Sequence, residues 1–332
     1  MEFKKPVSID DVARVAGVAP STVSKTLNRT TQRRRPTELQ LRVRRVAAEL
    51  GYRPNHTARS LSKGRTDILG IYWAFDFNTL DPFFGQFVNG IREGCRRHRK
   101  DILMHGTHHI EPQGDLYEEL TDGKSDGLIL FPWIEQSVLD KLVESNFPVV
   151  TVAHSSVGVP LVYVDAAAGM QIAARKIAAR GHKRVIYRDI MEGMEGDNRF
   201  DAFLQAAEES GLTVTRTRTV DWLGTLSAEE EALLALPADR RPTAAACFND
   251  TFAYKLLAYV NRAGMRAPED LAIIGFDGAF AWHEHPQKLS TIRAPWDLVA
   301  ERAVDIVIDQ IENRAVPSRT ILPVEWVAGE TL

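Results

Sequence analysis

The sequence predicts an α/β protein with a small helical head on a larger body of alternating strands and helices. Three observations carry that prediction. Residues 1–65 are strongly basic and patterned with a helical period. Residues 66–332 alternate short apolar runs with amphipathic stretches. The length of 332 residues supplies two or three domains at ~100–200 residues each. Hydrophobic residues at 44% and charged residues at 26% exclude a collagen, a disulfide scaffold and wholesale disorder. No stretch approaches ~18 uninterrupted apolar residues, so no membrane helix is expected. The first residues, Met1 to Pro6, lack the apolar run of a signal peptide, which points to a cytoplasmic protein. Cys95 and Cys247 are isolated, outside any metal-ligand spacing, and read as buried free thiols.

The formal net charge of −3 hides an asymmetry. Residues 1–65 hold 15 Lys or Arg against five Asp or Glu, a net of +10. The other 267 residues carry 26 basic and 39 acidic groups, a net of −13. A basic head on an acidic body points to a polyanion partner for the head alone.

The head reads as three helices and a short fourth. Ile9, Val12, Ala13 and Ala16 share one helix face, with Ser8 as the cap and Asp11 three residues on. Gly17 ends that helix, and Pro20 suits the first turn of the next. Val23 and Leu27 give the second helix a narrow apolar stripe, with Ser21, Ser24 and Lys25 off it. Helix, Gly-containing turn, helix is the layout whose second helix enters a DNA major groove. Leu39, Val43, Val46 and Leu50 then mark a third helix, with Arg42, Arg44 and Arg45 on its other faces.

At this point the chain resembles the LacI/GalR-type regulators. The run Ile9–Asn28 (IDDVARVAGVAPSTVSKTLN) is similar to their DNA-binding signature, and Gly51–Leu61 (GYRPNHTARSL) to their hinge segment. The resemblance implies a helix-turn-helix domain over 1–54 and a hinge helix and linker over 55–65. It implies an effector-binding and dimerisation core over 66–332, with a periplasmic-binding-protein-like fold of two parallel-sheet subdomains. Their bounds fall at about 66–164 plus 295–321, and 165–294 plus 322–332.

By position in the motif, Pro20, Ser21 and Lys25 face base edges. Lys25 is a donor for guanine, Ser21 donates or accepts, and Pro20 offers only apolar contact. Thr22, Ser24 and Asn28 suit phosphates, and Ser8 joins them at the start of the first helix. The loop Arg29–Pro36 is about two residues longer than is usual in the family. Its Arg33, Arg34 and Arg35 are phosphate candidates, which is compatible with a solvated loop in free protein. The hinge, His56 to Ser62, is too short for a stable isolated helix; in the family it folds where two copies meet over the minor groove. Leu61 matches the leucine that wedges between central bases, with Asn55, Ala58 and Arg59 lining the same groove.

The body reads as strands near 67–73, 101–105, 127–131, 149–153, 161–164, 185–188, 244–248 and 271–276, with helices at 83–97 and 167–180. Such alternation implies parallel sheets covered by helices, with ligands beyond the strands' carboxyl ends. The resemblance places effector contacts in a cleft between the halves, at Arg199, Asn249 and Asp277. An arginine and a carboxylate can fork hydrogen bonds to neighbouring hydroxyls, and an amide both donates and accepts. Four of the six tryptophans, Trp73, Trp133, Trp222 and Trp296, fall at or near cleft positions, together with Phe84. Each alone reads equally as core packing; together they suit stacking on a sugar ring. A purine is the rival effector, since aromatics also sandwich bases. Arg199 is the one cleft arginine the motifs locate, which disfavours a phosphorylated effector. Two departures, Phe131 and His154, stand where some relatives carry a polar residue and an aspartate.

The resemblance thus implies a dimeric, ligand-controlled transcription factor on a near-palindromic DNA operator. A sugar that relieves repression is the preferred mode. No heptad tail follows Leu332, so a coiled-coil tetramer is not expected. No GxSxG, Walker A or GxGxxG motif supports an enzyme, and no cofactor is expected. His105, His108 and His109 lack a standard metal-ligand spacing. The basic head argues against a purely sugar-binding periplasmic protein.

Overall fold

The computed structural model describes residues 7–28, 36–73, 82–105, 115–131, 134–153, 157–190, 198–221, 223–279 and 287–332. The chain divides into two units, Met1–Thr66 and Asp67–Leu332.

The first unit holds α1 (Ile9–Ala16), α2 (Pro20–Asn28), α3 (Glu38–Glu49) and α4 (His56–Lys63). Ser8 and Asp11 form the predicted capping box: the Asp11 amide donates to Ser8 Oγ at 3.2 Å, and the Ser8 amide to Asp11 Oδ2 at 3.0 Å. The Ser8 hydroxyl, then its amide, hold the Asp11 carboxyl down at about 2. Gly17 takes φ 66°, the left-handed turn that lets α2 leave at an angle. Val12, Ala13, Ala16, Val23, Val43, Val46 and Ala47 make the core, with Leu27 and Leu50 packed against it. Leu39 departs from the predicted face: it is 41% exposed and lies outside that core. One turn into α3, the core is already closed by Val43 and Val46.

Residues 56–63 form a helix at the segment expected to be the hinge. Its eight residues limit its stability, not its geometry.

The second unit contains β1 (Ile68–Trp73), α5 (Pro82–His98), β2 (Asp101–His105), α6 (Leu116–Leu120), β3 (Leu128–Phe131), α7 (Gln136–Glu144), β4 (Val149–Val152) and β5 (Leu161–Val164). It continues with α8 (Ala166–Ala179), β6 (Arg184–Asp189), α9 (Arg199–Glu209), β7 (Thr213–Arg218), α10 (Ala228–Leu234), β8 (Ala244–Cys247), α11 (Asp250–Arg262) and β9 (Ala272–Asp277). β10 (Ser290–Arg293), α12 (Trp296–Ile311), β11 (Arg319–Leu322) and β12 (Glu325–Val327) complete it.

Two six-stranded sheets result, ordered β11-β5-β4-β3-β1-β2 and β12-β10-β9-β8-β6-β7. All pairings are parallel except β10 with β12. The chain passes between the sheets three times, after β5, after β10 and after β11. The first and third passages touch, where the Asp165 amide donates to the Leu322 carbonyl at 2.9 Å. Strands such as Leu128–Phe131 and Ala272–Asp277 are buried along their whole length, as expected for strands covered on both faces. Among the described residues no helix is long and apolar enough to cross a membrane.

Helices meet closely where glycine removes a side chain. A Cβ at Gly90 of α5 would lie 2.1 Å from the Asp297 carbonyl oxygen and 2.8 Å from Ala300 Cβ of α12. We predict that Gly90→Ala lowers stability by about 1–3 kcal/mol, because backbone, not a flexible side chain, must move aside. Urea unfolding of the variant against the parent measures it.

Candidate functional site

In α2, Pro20, Ser21 and Lys25 are exposed, whereas Thr22 and Ser24 are half-buried. Val23 and Thr26 face inward and are buried. One face of the helix is therefore anchored, and the opposite one carries the predicted base-reading side chains. Ser8 is committed locally: its hydroxyl donates to Asp11 Oδ2 at 2.7 Å and accepts the Asp11 amide. That use makes it a helix cap first. In the hinge, Asn55 and Ala58 are exposed and Leu61 is 82% exposed. An apolar side chain so placed has no core to serve in the single chain. Arg33 lies outside the described residues, as do the side chains of Asn28 and Arg59.

In the second unit, chemistry gathers at the carboxyl ends of the strands. Arg199 opens α9, and its guanidinium is clamped between two rings, 4.0 Å from the Phe276 centroid and 4.5 Å from that of Phe248. Its Nη1 donates to the Phe248 carbonyl at 2.7 Å, and its Nη2 lies 4.0 Å from Asp277 Oδ1. Both side chains are nearly buried, at 8% and 10% exposure. Asp277 ends β9 with φ 102°, a region that a residue bearing Cβ enters at a cost of about 1–3 kcal/mol. Strain of that kind persists where surrounding bonds over-determine a functional position.

Those bonds come from several elements. Trp296 of α12 donates its indole N–H to Asp277 Oδ1 at 3.0 Å. Asp250, fully buried at the start of α11, accepts the Ala279 amide at 2.9 Å and the Thr291 hydroxyl at 2.5 Å. A Cβ at Gly275 would lie 2.2 Å from Asp250 Oδ1, so this glycine makes room for the carboxylate. Burial first, and repulsion from Asp277 second, push the Asp250 carboxyl well above the usual range. Gln86 of α5 reaches the carbonyls of Gly278 and Ala279, each at 3.5 Å. The turn after Asp277 is thus held through its amides by one subdomain and approached through its carbonyls by the other.

The carboxyl ends of β1 and β3 in the other sheet are aromatic. Trp73 and Phe131 are register partners on β1 and β3, and their rings stack with centroids 4.1 Å apart. Phe84 meets Trp73 edge-on at 5.1 Å, and Phe83 meets Trp296 edge-on at 4.9 Å. These contacts correct the expectation that Trp73 and Trp296 stand open for stacking: they are 6% and 2% exposed. One face of Trp73 is covered by Phe131, and Trp296 acts through its N–H. Phe84 stays half-buried. Asn249 also has a structural use, since its side-chain carbonyl caps α11 by accepting the Phe252 amide at 2.8 Å. Trp133, His154 and Trp222 lie outside the described residues. Sequence reading placed Asp250 in a motif-matched cleft segment, Phe248-Asn249-Asp250, without giving it a role, and missed Gln86 and a second arginine, Arg188, which lies at the carboxyl end of β6 and is 0% exposed. No motif marks Gln86 or Arg188; their role depends on what three or four elements bring to one point.

A helix-turn-helix unit beside a core of two parallel-sheet subdomains is the architecture of a ligand-controlled DNA-binding regulator. The family description "Bacterial regulatory proteins, lacI family" matches residues 8–55, and "Periplasmic binding protein-like domain" matches residues 174–332. The chain carries a lacI-family helix-turn-helix domain and a periplasmic-binding-protein-like domain. Among curated relatives, the HTH-type transcriptional repressor PurR of Photobacterium profundum is 29% identical over 314 residues, covering 92% of each chain. PurR of Vibrio cholerae is 28% identical over 321 residues, again 92% of each. Among solved structures, the Lac repressor dimer bound to operator and the anti-inducer ONPF superposes with TM-score 0.81 at 20% identity, covering 98% of this chain and 99% of that one. A transcriptional regulator CelR–cellobiose complex gives TM-score 0.66 at 21% identity, with the same coverage.

Trp296→Phe keeps the ring but removes a donor from a buried carboxylate. We expect a loss of about 1–3 kcal/mol in urea unfolding, the cost of leaving a buried acceptor short of a partner.

Proposed function

We propose that the protein is a homodimeric, cytoplasmic repressor of carbohydrate-utilisation genes, released from a near-palindromic operator by a small sugar or oligosaccharide. One observation carries the effector reading: Arg199 and Asp277 meet 4.0 Å apart at the strand ends of the second sheet, and Trp296 joins Asp277 to an aromatic cluster in which Phe84 is half-buried. A sugar has both surfaces to match, hydroxyls for the charged pair and an apolar ring face for the aromatics. Trp133, His154 and Trp222 belong to the same set by motif. The bound sugar changes the angle between the subdomains, and that change sets whether the hinge helices order on DNA, a shift between existing populations.

On DNA, Lys25 and Ser21 read base edges with Pro20 beside them, Thr22, Ser24, Asn28 and Arg33 hold phosphates, and Leu61 wedges into the minor groove with Asn55, Ala58 and Arg59 around it. The core holds no catalytic role in this reading. The second reading, a purine or another metabolite acting as corepressor, draws on the relatives named PurR and on aromatic rings that also sandwich planar bases.

A thermal-shift screen against neutral sugars, oligosaccharides, sugar phosphates and nucleobases separates the two. A sugar at 100 times its Kd stabilises the core by ~2.7 kcal/mol; stabilisation by nucleobases alone overturns the carbohydrate reading. Arg199→Ala and Asp277→Ala each remove the response; retention in both variants sinks the cleft assignment. Leu61→Ala weakens operator binding, and Lys25→Ala weakens operator more than random DNA by about 1–3 kcal/mol in a salt-controlled titration. Equal loss on both DNAs makes Lys25 a phosphate contact.

A further inference from the structure

Behind the polar wall lies an ion pair that the effector reading does not use. Arg188 is 0% exposed and Glu230 is 1% exposed. Arg188 Nε donates to Glu230 Oε1 at 2.7 Å, and Nη2 lies 3.4 Å from Oε2. The same guanidinium donates to the Phe252 carbonyl through Nη1 and to the Gly224 carbonyl through Nη2, both at 2.7 Å. Glu230 in turn accepts the Thr217 hydroxyl at 3.0 Å and the Ser227 amide at 2.8 Å. One pair therefore ties β6, β7, α10, the first turn of α11 and the segment around Gly224.

The tie leads directly to the cleft. Asn249 caps α11 on the amide of Phe252, the residue whose carbonyl Arg188 holds. The Phe248 amide donates to the Arg188 carbonyl at 2.8 Å, and the Phe248 carbonyl accepts Arg199. Gly224 takes φ 80°, and a Cβ there would come 2.6 Å from Phe252 Cδ1. That segment can approach α11 so closely only as glycine, and only in the orientation Arg188 sets.

Stability alone does not account for a charge pair here. Desolvating both ions is costly, and neutral or apolar pairs of similar volume commonly fold as well. A neutral pair cannot, however, aim donors at the carbonyls of Gly224 and Phe252 together with a carboxylate. We propose that Arg188 and Glu230 are positioning residues that hold the Gly224 segment and the α11 start in the geometry the effector meets. Only the part concerning the effector rests on the sugar reading above.

The experiment uses the full chain and the variant Arg188→Met/Glu230→Gln. Both charges go, volume is kept, and Gln preserves the capping-box acceptor for Ser227. We expect the variant to fold with a lowered Tm, because the Gly224 and Phe252 carbonyls lose their donor. The backbone amides of Thr225 and Phe252 should exchange with deuterium about tenfold faster. Cellobiose and lactose are the sugar probes, and binding of either is expected to weaken by about tenfold. Unchanged exchange at unchanged Tm overturns the proposal. Should the double variant not fold, Arg188→Lys keeps the charge but loses the fork. It is expected to speed exchange at Thr225 or Phe252, and parental exchange at both overturns the proposal equally. If the parent ignores both sugars and every other sugar screened, the carbohydrate reading falls while the exchange result still decides the positioning role.

Discussion

Parallel strand order constrains everything at the cleft. In a parallel sheet all carboxyl ends lie along one edge, and backbone N–H groups, helix starts and loop residues collect there. The three passages between the sheets leave from carboxyl ends, after Val164, Arg293 and Leu322. Both sheets therefore turn the same kind of edge toward the passage region. Trp73, Phe131, Asp277 and Phe248 each sit at or just beyond such an end. In open parallel sheets this is the edge at which ligands bind, whatever the particular side chains.

The two edges differ in chemistry. One is lined by Trp73, Phe83, Phe84 and Phe131, which pack on one another, with Phe83 also meeting Trp296. The other concentrates Arg199, Asp250 and Asp277 among Phe248 and Phe276, where charge is tolerated only because every contact is directional. Trp296 belongs by sequence to a helix over the first sheet yet gives its N–H to Asp277 of the second. It joins the apolar wall to the polar one.

Buried ionisable side chains recur as a means of holding backbone. Asp250 holds the strained turn after Asp277, and Arg188 holds the start of α11 through a carbonyl. Neither contributes apolar burial. Both limit how far loops at the strand ends can wander, which a site built on loops requires if its geometry is to be reproducible.

Much of this was legible in one dimension. The capping box at Ser8 and Asp11, the turn at Gly17 and the helix starting at Pro20 follow from local chemistry, because the atoms that bond are three or four residues apart. The apolar strands at 127–131 and 161–164 followed from burial on both faces, and Arg199 and Asp277 from motifs. Edge strand β7, Thr-Val-Thr-Arg-Thr-Arg, escaped because its polar residues mimic a loop. Leu39 was misplaced because helical periodicity reports a face, not how far the core extends along it. The use made of Trp296, Asn249, Asp250 and Arg188 depended on partners 3 to 64 positions away meeting at one point. Local pattern determined the elements and the class of site. Only tertiary packing decided which side chains stand open to a ligand and which are spent holding one another in place, because burial and hydrogen-bond partnership are properties of the assembled neighbourhood.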